Sequence, residues 1–182
     1  LDPFGFSSYT PEILKSLGID KVVINRMSDA YKNVLRENQD LDFIWQGDGD
    51  EEIYTHVLHG HYGMDLSFYY DKRWGTNFKC PIPLDDKCTK KLVEESIHQG
   101  LKVHNRTGYV MQLVGDDFFF ADAEYSLKYI DGMKKGLEKH GSKYLNGKPV
   151  EFRYATLTEY LKDSADANWQ IGRHRGDFFV YT

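Results

Sequence analysis

What this sequence does without removes several classes of protein at the outset. No apolar run is long enough to span a membrane as a helix, and the first residues carry no signal-peptide pattern. Positive charge is not in excess. The 23 lysines and arginines face 28 acidic residues, a net charge of −5 that argues against nucleic acid or an anionic membrane as partner. The G-x-S-x-G turn of serine hydrolases, the P-loop and the Rossmann glycine fingerprint are all missing. No segment is of low complexity and no repeat or linker interrupts the chain, so one domain is expected over residues 1–182. An initiating methionine is absent too, and the opening on Leu1 is read as a chain processed or cut from a longer one.

What is there is globular, with 41% hydrophobic and 28% charged residues. The 13 Tyr, 11 Phe and 3 Trp suit an ordinary core, and equally a surface that grips the flat faces of sugars. Only two cysteines occur, Cys80 and Cys88, within KCPIPLDDKC. Their spacing fits a loop staple of an oxidising compartment, or a pair of free cytosolic thiols. Asn105-Arg106-Thr107 is a formal glycosylation sequon.

The pattern of elements alternates. Thr10-Pro11-Glu12 reads as a helix start with Gly18 as its stop, and Ser28 as the cap of a helix running to about Asn38. KVVI (21–24), LDFIWQG (41–47) and IYTHVLHG (53–60) read as strands, with the acidic loop DGDEE between the last two. Residues 63–88 read as a long irregular loop. Helices are expected over 90–99 and 123–139, the latter weakened by Gly132 and Gly136, and another opens at the capping box TLTE (156–159). GYVMQLVG (108–115) and PVEFRYAT (149–156) read as further strands, the first of them buried. Strands alternating with helices imply an α/β fold with a largely parallel sheet and flanking helices, whose ligands gather at the carboxyl ends of the strands.

Four places invite chemistry. VGDDFFF (114–120) carries an apolar strand into two aspartates, and burial of Asp117 beside Phe118 and Phe119 would raise its pKa towards that of a general acid. The plainer reading makes both aspartates turn formers. HVLHGHY places His59 and His61 on one strand face and His56 on the other, short of the three or four ligands zinc takes. DGDEE lacks the glycine and closing glutamate of a calcium loop and reads as a solvated turn. Arg26 ends the strand KVVIN, either on a ligand-facing edge or in a surface ion pair.

The opening Asp2-Pro3-Phe4-Gly5-Phe6-Ser7 resembles the nucleophile motif Asp-Pro-Phe-Gly-His-Ser of glycoside hydrolase family 38, the zinc-dependent α-mannosidases. The resemblance continues in order through Arg26, Trp45-Gln46-Gly47, Gly60-His61-Tyr62, Arg106-Thr107, Gly115-Asp116-Asp117-Phe118 and the closing GDFFVYT. Its Trp-Gln-Gly and His-Tyr details look more like the lysosomal and vacuolar branch. It implies a retaining mechanism on terminal α-linked mannose of N-glycans in mannose-bearing glycoproteins, with Asp2 as nucleophile and zinc ligand and Asp117 as general acid/base. Two such carboxylates stand roughly 5 Å apart in retaining enzymes. It further implies that Phe4 walls the sugar, Arg26 orients Asp2, Asp116 binds a hydroxyl and Tyr62 contacts the sugar. Cys80 and Cys88 fall where relatives carry loop disulfides, which implies a lysosomal, vacuolar or other secretory lumen. The fold implied is part of an incomplete β/α barrel of the glycoside hydrolase/deacetylase type, here a partial N-terminal catalytic domain.

The departures are specific. The family's other zinc ligands, a His-x-Asp pair before the nucleophile and a His after the final motif, have no counterpart in residues 1–182 and are expected outside this chain. Phe6 stands where the family has His, which removes a polar neighbour of the nucleophile. The expectation is therefore an α-mannosidase segment inactive by itself, the alternative being a degenerate sugar-binding relative.

Overall fold

The computed structural model describes residues 2–63, 70–71, 75–76, 79–104, 107–167 and 170–180. In chain order the first elements are β1 (Gly5–Phe6), α1 (Thr10–Ser16), β2 (Lys21–Ile24), α2 (Asp29–Glu37), β3 (Asp42–Gln46) and β4 (Glu52–Val57). Then come the short β5 (Tyr70–Asp71) and β6 (Gly75–Thr76), α3 (Asp86–Leu92), a π-helical turn (Val93–Ile97), α4 (His98–Val103) and α5 (Ala123–His140). A 3₁₀ turn (Gly141–Tyr144), α6 (Leu157–Asp166), β7 (Gly172–Arg175) and β8 (Phe178–Phe179) complete them. They fall into two compact units, one of Leu1–Tyr62, Gly100–Val110 and Thr156–Thr182, the other of Gly63–Gln99 and Met111–Ala155.

The first unit is built on a four-stranded sheet in the order β2-β4-β3-β7. β2 runs parallel to β4 and β7 parallel to β3, but β3 and β4 are antiparallel. The sheet is thus mixed, where a largely parallel one was expected. The reason is local: no helix separates β3 from β4, and the DGDEE loop folds back on itself through Gly47 N–H to Glu51 C=O at 3.0 Å. Strands joined by a short turn must pair antiparallel. β3 and β4 are nearly continuously buried, as central strands covered on both faces are. Phe43, Trp45, Ile24, Leu35, Leu41 and Ile53 form the centre of the core, each worth roughly 1.5–3 kcal/mol of apolar burial. Tyr31 of α2 and Asp40 hold His174 of β7 between them, through Nδ1 at 2.8 Å and Nε2 at 2.7 Å.

Several local signals operate as read. β2 occupies residues 21–24, Gly18 ends the first helix with φ +76°, and Thr156 and Glu159 close a reciprocal capping box at α6. At α1 the cap shifts by one: Tyr9 is the N-cap, and Thr10 and Pro11 form the first turn.

The second unit carries the Cys80–Cys88 disulfide, whose S–S distance is 2.12 Å. Asp85 caps α3 by accepting from Cys88 N–H at 2.8 Å. Leu84, Leu92, Val93, Ile130, Met133 and Leu137 make its core. Gly132 and Gly136, read as weak points of α5, are where the helix meets its neighbours. A Cβ at either would lie 2.4 Å from Ile82 or Leu84, so only glycine lets those chains approach. The expected strands at 108–115 and 149–156 are not strands. Residues 109–114 and 149–155 pair with no strand among the described residues, and Val114, Val150 and Phe152 instead pack on this core. Their apolar content serves packing without a ladder, an ambiguity that periodicity does not resolve in short runs. Among the described residues no helix is long and apolar enough to cross a membrane.

Candidate active site

The site begins with a two-residue ladder. β1 pairs antiparallel with β8, Gly5 opposite Phe179 and Phe6 opposite Phe178, which brings the opening motif and the closing GDFF stretch together. Gly5 has φ +129°, and a Cβ there would sit 2.5 Å from the Phe179 ring. Only glycine fits both the turn and the approach. Asp177 Oδ1 accepts from Ser8 N–H at 2.6 Å and closes the motif from below. Phe6 turns inward and meets Trp45 edge to face at 6.4 Å, so this side chain joins the core.

Asp2 projects at the other end of the motif into a polar clamp. Its Oδ1 accepts from Arg26 Nε at 2.8 Å and from the Tyr62 hydroxyl at 2.7 Å, and the ion pair brings Arg26 Nη2 to 2.6 Å from the same oxygen. Arg26 Nη2 also donates to the Tyr62 oxygen at 3.2 Å. The Arg26 guanidinium lies 4.4 Å from the centre of the exposed Phe4 ring and 5.6 Å from that of Tyr62. Among the described residues every bond to the Asp2 carboxylate falls on Oδ1. Oδ2 receives none from the described residues, and the side chain is 63% exposed. Donors from Tyr62 and Arg26 hold the carboxyl below the usual aspartate range, while Asp2 pushes the Tyr62 hydroxyl up. Arg26 and Tyr62 reach Asp2 because parallel β2 and β4 end side by side, Ile24 opposite Val57, and each chain continues outward from that edge.

Asp116 and Asp117 belong to the second unit. Both are exposed, as is Phe118 at 77%, so the burial expected to raise the Asp117 pKa is not found. The cause is the turn itself. Asp116 Oδ1 accepts from Asp117 N–H at 2.8 Å and Asp116 C=O from Phe119 N–H at 3.0 Å, while Phe118 takes φ +58°. Arg106 and the sequon residue Asn105 lie outside the described residues, as do Tyr181 and Thr182.

A second polar cluster lies inside the first unit. Asp42 and His56 face each other across β3 and β4 in register. Asp42 Oδ1 accepts from His56 Nδ1 at 2.6 Å and Tyr54 Oη at 2.8 Å, and Oδ2 from His104 Nδ1 at 2.5 Å. The His56 and His104 rings stack at 4.5 Å. Burial works to raise the Asp42 pKa, but the His56 and His104 partners outweigh it and hold the carboxyl well below the usual range. Burial likewise holds His104 and His59 neutral, His59 down to about 4. His61, expected to share a face with His59, is exposed and stacks on Tyr62 at 4.1 Å.

The sequence profile of the glycosyl hydrolases family 38 N-terminal domain matches residues 1–182. The chain belongs to glycosyl hydrolase family 38. It is 32% identical over 181 residues to alpha-mannosidase D of Dictyostelium discoideum, covering 96% of this chain and 14% of that protein. It is 27% identical to the lysosomal alpha-mannosidase of the same organism, covering 100% of this chain and 18% of that protein. It is 26% identical to the epididymis-specific alpha-mannosidase of Sus scrofa, again over 100% of this chain and 19% of the relative. The chain therefore spans less than a fifth of the length of these relatives.

Zinc, which family 38 implies, does not find a complete set of ligands that includes Asp2 among the described residues. Asp2 offers one carboxylate, and one ligand does not hold the ion. Among the described residues the one group of three ligand-type side chains within 4.8 Å is Asp42, His56 and His104, which does not include Asp2. Its two Nδ1 atoms already donate protons to Asp42, and the buried His104 Nε2 has no partner among the described residues. That donor set reads as a hydrogen-bond hub, three donors around one buried anion.

Sequence reasoning missed Asp42, His104 and Lys32. The alternation of LDFIWQG against IYTHVLHG, folded as a hairpin, would have placed Asp42 opposite His56. His104 arrives from 62 residues away with no local signal.

Proposed function

We propose that the protein carrying this chain is a retaining α-mannosidase that releases terminal α-linked mannose from N-glycans, with residues 1–182 as part of its N-terminal catalytic domain. The observation that carries the reading is the asymmetry at Asp2, one carboxylate oxygen held by Arg26 and Tyr62 and the other without a bond from the described residues. A nucleophilic carboxylate needs that arrangement: fixed in place, ionised, and with a lone pair to give.

In the first step Asp2 Oδ2 attacks the anomeric carbon while the glycosidic carbon–oxygen bond breaks, and the leaving oxygen takes a proton from Asp117. A mannosyl ester forms on Asp2. In the second step Asp117, now a carboxylate, takes a proton from water as the water oxygen attacks the anomeric carbon and the ester bond breaks. Arg26 and Tyr62 act in both steps. They keep Asp2 ionised before attack, and they stabilise the carboxylate that departs in the second. Phe4 offers an apolar wall for the sugar, Asp116 accepts from a sugar hydroxyl, and Tyr62 stands beside the bound ring. The reading includes zinc as a cofactor of the whole protein, with Asp2 as one ligand and the others outside these 182 residues. It also places the four-stranded sheet within a larger β/α barrel, and the protein in a lysosomal, vacuolar or secretory lumen. The Cys80–Cys88 link and the relative named lysosomal support that location.

Hydrolysis of an aryl α-mannoside by the full-length protein tests the reading. Turnover abolished by Asp2→Ala is the expected result, and residues 1–182 alone are expected to show none. Turnover that survives Asp2→Ala overturns the mechanism. Binding of mannosides without turnover would mark a degenerate sugar-binding relative.

A further inference from the structure

Helix α2 carries a buried cation that the proposed mechanism does not use. Lys32 is only 6% exposed, and its ammonium donates to three uncharged oxygens: Asn25 Oδ1 at 3.1 Å, Asn25 C=O at 3.3 Å and Gly60 C=O at 3.3 Å. Three N–H groups meet three acceptors, and none of them is a carboxylate. Burial first, then the neighbouring Arg36, pull its pKa down to about 8, with Asp29 opposing. A charge so placed is costly, and an apolar side chain of similar length would pack there more cheaply. Its retention calls for a task that needs the ammonium.

The task is visible in what the acceptors adjoin. Asn25 directly precedes Arg26, and Gly60 stands two residues before Tyr62. The parallel ladder between β2 and β4 ends at Ile24 and Val57, with a last bond from Leu58 N–H to Ile24 C=O at 3.1 Å. Among the described residues no further bond joins the two strands beyond it, just where Arg26 and Tyr62 must be held together. Lys32 takes over there, joining carbonyls from both chains through one nitrogen. Arg36, one helical turn later, adds a bond from Nη2 to His59 C=O at 2.6 Å. Two cations of one helix thus fasten consecutive carbonyls of the segment leading to Tyr62.

We propose that Lys32 is a positioning residue of the Asp2 clamp, setting the separation of Arg26 and Tyr62 so that both donors converge on Oδ1. The inference rests on the reading of Asp2 as nucleophile. A small misplacement of groups around a reacting atom costs about 10²-fold in rate. In the full-length protein, Lys32→Met is expected to lower kcat on an aryl α-mannoside by about 10- to 100-fold, with KM changed less than about 3-fold. In a Tyr62→Phe background the same substitution is expected to cost less than about 3-fold more, because the contact it positions is already gone. Lys32→Gln, which keeps two donors without a buried charge, is expected to lose less than Lys32→Met and provides a second variant should the first fold poorly. Hydrogen exchange supplies a readout that needs no turnover: peptides containing Arg26 and Tyr62 should exchange faster in either variant, while those of β3 stay unchanged. Equal losses in both backgrounds, wild-type kcat in Lys32→Met, or unchanged exchange at both peptides would overturn the proposal. A wild-type protein without turnover would instead sink the mannosidase reading, and the exchange result would still decide the role of Lys32 in holding the clamp.

Discussion

Two aspartates of the first unit each gather donors, and the donors are distributed in opposite ways. At Asp42 they cover both oxygens, the residue is buried, and two imidazoles and a phenol surround it. At Asp2 both hydrogen bonds and the ion pair fall on Oδ1 of an exposed side chain, and Oδ2 receives none from the described residues. Both carboxyls are held below their ordinary range, so a lowered pKa does not separate them. What separates them is the open oxygen. A fully bonded, buried carboxylate ties strands together, whereas a half-bonded, exposed one has something left to react with.

The sharpest way to break the comparison is to remove each carboxylate. Asp2→Ala is expected to lower kcat/KM of the full-length protein by more than about 10⁴-fold while leaving hydrogen exchange of the sheet unchanged. Asp42→Ala reverses the pattern. It strands the Tyr54, His56 and His104 donors and should cost about 3–5 kcal/mol in the opening free energy of β3 and β4, read by hydrogen exchange. If Asp42→Ala left that exchange unchanged, the hub would not be structural.

Smaller effects refine the contrast. His59, beside the hub, is held neutral down to about pH 4, whereas an unfolded chain protonates it near 6.5. Between those values the unfolded state binds the extra proton, so this stabilising contribution is complete above 6.5 and is lost as the pH falls towards 4. The loss should reach about 3 kcal/mol in thermal or denaturant unfolding, and His59→Gln should flatten it. Least of all, Tyr62→Phe removes one of the two hydrogen bonds to Oδ1 and is expected to lower kcat about 10-fold, with the fold untouched. A Tyr62→Phe protein with wild-type kcat would leave Arg26 as the only donor that matters.

Much of the first unit was legible from sequence. KVVI, the TLTE box and Gly18 act through local backbone chemistry, which a single sequence carries in full. The strand order was not, because it depends on whether a helix intervenes between neighbours. DGDEE was read as a turn, yet the two strands it joins were counted into a largely parallel sheet, and their antiparallel pairing makes the sheet mixed. GYVMQLVG failed as a strand since apolar residues close to a core pack with or without a ladder. Asp117 failed as a buried acid for a related reason: the aspartate before it was free to make a turn with its own chain. The clamp at Asp2 was readable only through motifs in order, for nothing in the composition joins residues 2, 26 and 62. Lys32 was invisible because a lysine on an amphipathic helix is ordinarily solvated, and only the end of the β2–β4 ladder gives it work.

The most direct test of Asp2 as nucleophile is to trap the covalent intermediate. Full-length protein treated with a slow fluorinated α-mannosyl substrate is digested and mapped by mass spectrometry. A mannosyl ester on Asp2, in the peptide carrying Asp2-Pro3-Phe4, is the predicted result. An adduct on another carboxylate, or turnover of the trap with Asp2 unlabelled, would contradict it.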